Sequence, residues 1–233
     1  QYQLVCHSCQ WTLSNMHATC KAHKNLALFD FDGTLYDKDS FTGFIFYVHS
    51  KRHIALQGLK VLPYIQSYYL GFYPAHHMRS KLFHAMFKQA EVSEIDAYAK
   101  RYAELLIKGL NPALYSQLKQ HQSLGDDVVL VSASIDIYLK YVCEILSIDL
   151  ICTQVEQDQQ RYTGRYLTAD CSCEYKAQRI QEKYELDSYH AVYAYGNSIE
   201  DKQMLSLADF SYLVGTDLSL PDLSNTSNHR QIS

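Results

Sequence analysis

Asp30-Phe31-Asp32-Gly33-Thr34 sets two carboxylates two residues apart, directly after the apolar run Leu26-Ala27-Leu28-Phe29. That run reads as a buried strand, and residues two apart at a strand's end point the same way. Gly33-Thr34 then supplies a turn whose backbone is free to wrap a small anion. The pattern suits a nucleophilic Asp beside a second acid, around a hard cation and a phosphate. A strand ending in a solvated acidic turn is the plainer reading, and Asp-x-Asp alone does not decide between the two. Three later signals favour chemistry by their order. Val-Leu-Val-Ser-Ala-Ser at 129–134 brings an apolar run to Ser132, Lys176 follows near the head of a helical segment, and Tyr-Gly-Asn-Ser-Ile-Glu-Asp at 195–201 puts Asn197 and Asp201 after a third apolar run.

A second group of chemically capable residues lies in the arm 1–24. Cys6-x2-Cys9 and Cys20-x2-His23 have a spacing that resembles a tetrahedral zinc site of three sulfurs and one nitrogen, structural in kind. The flanks lack the Gly and Pro usual in zinc knuckles, and His7 and His17 are alternative ligands. A disordered arm with incidental thiols is the competing reading.

The elements that must position these residues follow from hydrophobic period. Strands are expected at 25–32, 127–132, 150–153, 190–195 and 210–214. A hairpin is expected over 157–167, with its turn at Thr163-Gly164. The stretch 39–110 shows only helical spacing: a helix capped by Asp39-Ser40 to about Ser50, one over 53–70 kinked or broken at Pro63, one from Pro74, and one from Ser93-x-x-Asp96. Further helices are expected at 112–123, 136–146, 174–185 and 201–207. Strands alternating with helices make an α/β domain with a mostly parallel sheet. Such sheets bind ligands beyond the carboxyl ends of their strands, where Asp30, Ser132 and Gly196-Asn197 all fall.

The chain has 233 residues and a formal charge of −4, with no basic stripe, which argues against a nucleic-acid partner. Seven cysteines, four of them scattered through the body, suit a reducing compartment rather than a disulfide framework. No secretory signal is evident and no window holds the ~18 apolar residues of a transmembrane segment, so a cytoplasmic protein is expected. Twenty tyrosines read most simply as amphipathic packing residues.

The four motifs together resemble the haloacid dehalogenase superfamily, in its phosphoserine-phosphatase-like branch (subfamily IB), over about residues 25–214. Asp30 to Leu35 is similar to its first motif, 129–134 to its second, Lys176 to its third and 195–201 to its fourth. The resemblance implies a Rossmann-like core over 25–38 and 111–215, an inserted helical cap of the first type over 39–110, and a polar tail over 216–233. It further implies a Mg2+-dependent phosphomonoester hydrolase acting on a small phosphorylated metabolite through an aspartyl-phosphate. Asp30 would attack phosphorus. Asp32 would protonate the leaving alcohol and then deprotonate water. Ser132 would donate to a phosphoryl oxygen, and Lys176 would balance charge. Gly33, Thr34 and Ala133 would line the phosphate. Asp30, the Asp32 carbonyl, Asn197 and Asp201 would surround the metal. Asn197 departs from the family's usual Asp and removes one charge. Asp39 stands where an acidic residue holds the substrate ammonium in phosphoserine phosphatases, or else caps its helix. Arg52 and Arg79 are candidates for a substrate carboxylate. The cap aromatics, among them Phe41, Phe44, Phe46, Tyr68, Tyr69 and Phe72, form either a bundle core or an apolar pocket suited to a lipid phosphate. A phosphotransferase or mutase of the same fold and a non-catalytic partner-binding module are the rival functions.

Overall fold

Leu26–Phe29 forms β1 at the centre of a five-stranded sheet, and all four of its side chains are buried. A strand covered on both faces needs a continuous apolar run, which this segment is. The computed structural model describes residues 24–223. The sheet order is β3-β2-β1-β6-β7, with β2 at Asp127–Ile135, β3 at Asp149–Thr153, β6 at Val192–Gly196 and β7 at Phe210–Leu213. Every pairing in it is parallel. Phe29 lies level with Leu130 on one side and Tyr195 on the other, so the three central strands deliver their carboxyl ends to one edge.

Alternation along β1 splits the core in two. Ala27 and Phe29 face a large cluster that includes Leu130, Tyr193 and Tyr195, whereas Leu26 and Leu28 face a smaller one with Val129, Val131, Ile180 and Met204. The larger cluster is covered by α5 at Pro112–Leu124 and α6 at Asp136–Leu146, the smaller by α7 at Glu174–Lys183 and α8 at Lys202–Leu205.

Four helices lie in the chain between β1 and α5: α1 at Ser40–Val48, α2 at Lys51–Tyr69, α3 at Ala75–Phe87 and α4 at Val92–Lys108. They are joined to the sheet's larger cluster by aromatic contacts. Phe44 of α1 sits 4.9 Å from Tyr138 of α6 and 5.2 Å from Tyr102 of α4, ring centre to ring centre. The aromatics of this helical stretch divide: Phe41 and Phe44 are buried, while Phe46, Tyr69 and Phe72 are exposed.

Four expectations need correction. Of the kink or break expected at Pro63, the break is absent: α2 continues through Pro63, which lies on the exposed face. The strand β2 continues past Ser132 to Ile135. The hairpin pairs β4 at Val155–Asp158 with β5 at Arg161–Tyr166, so its turn is at Gln159-Gln160 rather than Thr163-Gly164. Gly164 serves instead for close approach: with φ at +81°, any Cβ there would stand 2.9 Å from the Lys88 Cβ. The tail does not fray at Gly215, because Leu223 is buried in the larger cluster and Gln117 donates to the Pro221 carbonyl at 2.8 Å. Cys6, Cys9, Cys20 and His23 lie outside the described residues. Among the described cysteines, Cys143, Cys152, Cys171 and Cys173 are free thiols. No helix among the described residues is long and apolar enough to cross a membrane.

Candidate active site

Asp30 is the first residue past β1, and its amide still donates to the Tyr195 carbonyl at 2.9 Å, so the sheet itself fixes its backbone. The chain then closes a tight loop: Tyr36 donates to the Phe31 carbonyl and Gly33 to the Tyr36 carbonyl. Gly33 is required twice over. Its φ is +80°, and a Cβ would fall 2.0 Å from the Asn197 Nδ2. The first-motif loop and the amide of Asn197 are therefore packed directly together.

The buried side chains form a chain of charge. Lys176, in the first turn of α7, donates to Asp30 Oδ1 and to Asp201 Oδ1, each at 2.5 Å. Thr34 donates its hydroxyl to the other Asp30 oxygen at 2.9 Å. Asp201 Oδ2 accepts from the amides of Asn197 and Ser198 at 3.0 Å and from the Ser198 hydroxyl. Both oxygens of Asp201 are thus engaged by protein donors, which fold the 197–201 turn and hold Lys176. Burial pushes the Asp30 carboxyl above its ordinary value, with Lys176 opposing it. Burial alone would depress Lys176, but the two carboxylates reverse this and hold it above the lysine range. Burial also acts to raise Asp201, but Lys176 and the turn amides hold it below the usual carboxylate value.

Asp32 has a different environment. Its oxygens accept from the Ser40 amide at 2.6 Å and the Ser134 hydroxyl at 2.5 Å. Burial pushes its pKa up to about 7, against those two hydrogen bonds, and the neighbouring Asp30 charge adds to the rise. One carboxylate is therefore paired with a cation while its neighbour is poised to carry a proton near neutrality.

Asp30, Asp32, Gly33, Ser132, Ala133, Lys176, Asn197 and Asp201 all border one cavity. Thr34 is buried behind it. Asp39 borders the cavity, but its carboxylate accepts from the Thr42 amide and hydroxyl, both at 2.9 Å, as the N-cap of α1. Arg52 is exposed and does not border the cavity. Arg79 of α3 borders it but holds Asp170 with two hydrogen bonds, at 2.8 and 2.9 Å, and Glu200 at 3.2 Å.

Two residues carried no catalytic or binding role in the sequence reading. Ser134 was legible in principle: it lies two past Ser132 on the same strand face, and its amide donates to the Ser132 hydroxyl at 3.1 Å. Ser40 acts through its backbone amide, and its hydroxyl shares a hydrogen bond with Tyr138 at 2.8 Å. A backbone donor leaves no mark in residue type.

The residues fit a small hard cation. Asp30, Asp32 and Asn197 bring hard oxygen donors to the cavity from adjoining loops, and the Asn197 side-chain amide occupies the space a Gly33 side chain would fill. Mg2+ is held by few protein oxygens and keeps several waters, so a donor set of this size is enough.

The sequence pattern of haloacid dehalogenase-like hydrolases matches residues 27–206, and the chain belongs to that family. Among curated proteins it is similar to a histidinol-phosphatase of Neisseria meningitidis, 28% identical over 210 residues that cover 84% of this chain and 93% of the relative. Among solved structures it resembles a protein of unknown function from Bordetella pertussis, with a TM-score of 0.70 and 23% identity over 82% of this chain and 89% of that one. It also resembles a phospho-aspartyl intermediate analogue of phosphoserine phosphatase, with a TM-score of 0.59 and 18% identity over 82% and 86% of the two chains. These structural likenesses show the α/β fold.

Proposed function

We propose that this chain is a Mg2+-dependent phosphatase that hydrolyses a phosphomonoester through an aspartyl-phosphate on Asp30, with a small phosphorylated compound as substrate. The observation that carries this reading is the pair of unlike carboxylates. Asp30 is paired with a buried Lys176, and Asp32 has its pKa raised to about 7. In the first step an Asp30 oxygen bonds to phosphorus and the bond from phosphorus to the leaving oxygen breaks. Asp32 gives that oxygen its proton. In the second step Asp32 takes a proton from water, whose oxygen attacks phosphorus and frees Asp30. Ser132 and the backbone of the Gly33-Thr34 loop orient the phosphoryl oxygens, and Lys176 offsets negative charge. Asp30, the Asp32 carbonyl and Asn197 would hold the metal ion, with Asp201 acting on it through water and through Lys176. When bound, the ion supplies charge neutralisation between the anionic nucleophile and the anionic ester.

Turnover of p-nitrophenyl phosphate should require added Mg2+, stop on chelation and resume on Mg2+ replacement. Asn197→Asp adds a charged oxygen beside the same loop, so its Mg2+ titration should shift to lower concentration by about tenfold. No turnover at any Mg2+ concentration would leave the non-catalytic alternative. An unshifted titration would remove residue 197 from the metal.

The Asp32 environment predicts a pH limb. Single-turnover phosphorylation by an alkyl phosphate, a poor leaving group, should fall as pH rises through about 7, because only protonated Asp32 serves as acid. Ser134 stabilises the ionised form, so Ser134→Ala should move this limb to higher pH. A limb that stays in place would assign the acid to another group.

A further inference from the structure

The cavity that begins at Asp30 continues well beyond a phosphate. Its volume is about 870 Å3, toward the upper end of the ~300–1,000 Å3 of small-molecule sites. Away from the carboxylates much of its wall is apolar, beside the polar Lys38, Thr42 and Arg79. Ile54, Gly58, Val61 and Ile65 recur along α2 at steps of three and four, and Met78 and Leu82 of α3 line it as well. The α2 stripe runs for roughly 16 Å. At Gly58 an added Cβ would meet nothing within 4 Å, so the space beside it is open.

Three of the charged groups around this cavity are engaged by other parts of the chain. Asp39 caps α1, Arg79 is held by Asp170 and Glu200, and Asp37 accepts from Asn111. On the outer face of α2 the exposed leucines Leu56, Leu59 and Leu62, at 55, 67 and 43%, alternate with the exposed Arg52, Lys60 and Gln66. A helix bordering a core on one side ordinarily turns polar residues to water on the other. The stripe of Ile54, Gly58, Val61 and Ile65 that α2 turns to the cavity suits a substrate with its own apolar body.

We infer that the ligand of this site is a phosphomonoester whose alcohol carries an extended apolar chain, seated between α2 and α3 with its phosphate at Asp30. This rests on the phosphatase reading for the fate of the ligand. Water and ester give alcohol and inorganic phosphate: the bond from phosphorus to the ester oxygen breaks, that oxygen receives a proton, and the water oxygen remains on phosphorus. The ligand source is either a dispersed amphiphile or one resident in a bilayer.

The test compares kcat/KM of the full chain with Mg2+ on ethyl, octyl and dodecyl phosphate below their aggregation limits, with L-histidinol phosphate and O-phosphoserine alongside. In parallel, calorimetry measures binding of the matching alkylphosphonates. Affinity and kcat/KM should rise with chain length by up to about fourfold per methylene, from ~0.8 kcal/mol per buried CH2. Gly58→Leu fills the open space and is favoured in a helix. It should cut the dodecyl-to-ethyl ratio by about tenfold or more. Phosphatidic acid in phosphatidylcholine vesicles distinguishes the sources: faster turnover there than on dispersed dodecyl phosphate assigns a bilayer source, and slower turnover a dispersed one. Flat chain-length profiles with active turnover of p-nitrophenyl phosphate overturn the inference and leave the phosphatase reading intact, as does preference for histidinol phosphate or phosphoserine. Chain-length-dependent phosphonate binding, weakened by Gly58→Leu, with no turnover of any ester upholds the ligand assignment and overturns the phosphatase reading.

Discussion

Asp30→Asn should lose phosphatase turnover by at least about 10^4-fold, in keeping with removal of a covalent nucleophile. The amide keeps the shape of the carboxylate but cannot attack phosphorus. The fold should survive the change. The backbone of residue 30 is held by the sheet, through its amide bond to the Tyr195 carbonyl. Lys176 retains Asp201 as a partner at 2.5 Å. The measurement is steady-state turnover of p-nitrophenyl phosphate with Mg2+, beside a thermal melt of the same preparation. Activity above a few per cent of the unmodified chain, in a preparation free of other phosphatases, would place the nucleophile elsewhere.

Lys176→Met should damage stability as well as activity. The side chain is 2% exposed and lies between Asp30 and Asp201. Its loss leaves two buried carboxylates with no cation between them, a change that typically costs about 3–5 kcal/mol. Urea unfolding without added divalent metal, at neutral pH, reads this directly. The sign of the pH dependence follows from Asp201. Burial acts to raise its pKa, but Lys176 and the turn amides hold it below the ordinary value. The stabilisation from this pairing is therefore complete above the unfolded carboxylate pKa of about 4 and is lost as pH falls through the lower folded value. The gap between variant and unmodified chain should accordingly narrow in acid. Adding Asp201→Asn to Lys176→Met should restore part of the stability at neutral pH and none of the turnover. A gap independent of pH would mean that Lys176 contributes by packing alone.

The parts of this site that could be read from sequence are those announced by residue type beside an unambiguous strand. Asp30, Ser132 and Asn197 follow apolar runs that form only buried strands, and the parallel register then brings them to one edge. Lys176 was legible as a cation near a helix start, though its double pairing depends on the 197–201 turn folding around Asp201. The cap reading of Asp39 agrees with its bonds to Thr42. What stayed illegible depends on distance in sequence. Arg79 meets Asp170 and Glu200 across 91 and 121 residues. No local pattern announces such a pair. Gly164 resembled a turn because Thr-Gly commonly is one, but the space it yields belongs to α3. The aromatics after residue 40 could not be sorted by type. Phe44 and Phe46 differ only in helix face, and packing of α1 against α4 and α6 buries the first and leaves the second exposed at 62%.

The four inserted helices differ in how far they are committed to the core. Five residues of α4 are buried, whereas Val61 is the sole buried residue of α2 in its 19-residue length. Exchanges along most of α2 therefore leave the folding free energy nearly untouched, since exposed positions usually tolerate substitution within about 0.5 kcal/mol. Asp30 and Lys176 are locked to each other and Asp32 to Ser40 and Ser134, so these three have no such latitude. The latitude belongs to the outward positions of α2 such as Leu56 and Leu59, whereas Val61, at 4% exposure, is as constrained as the core.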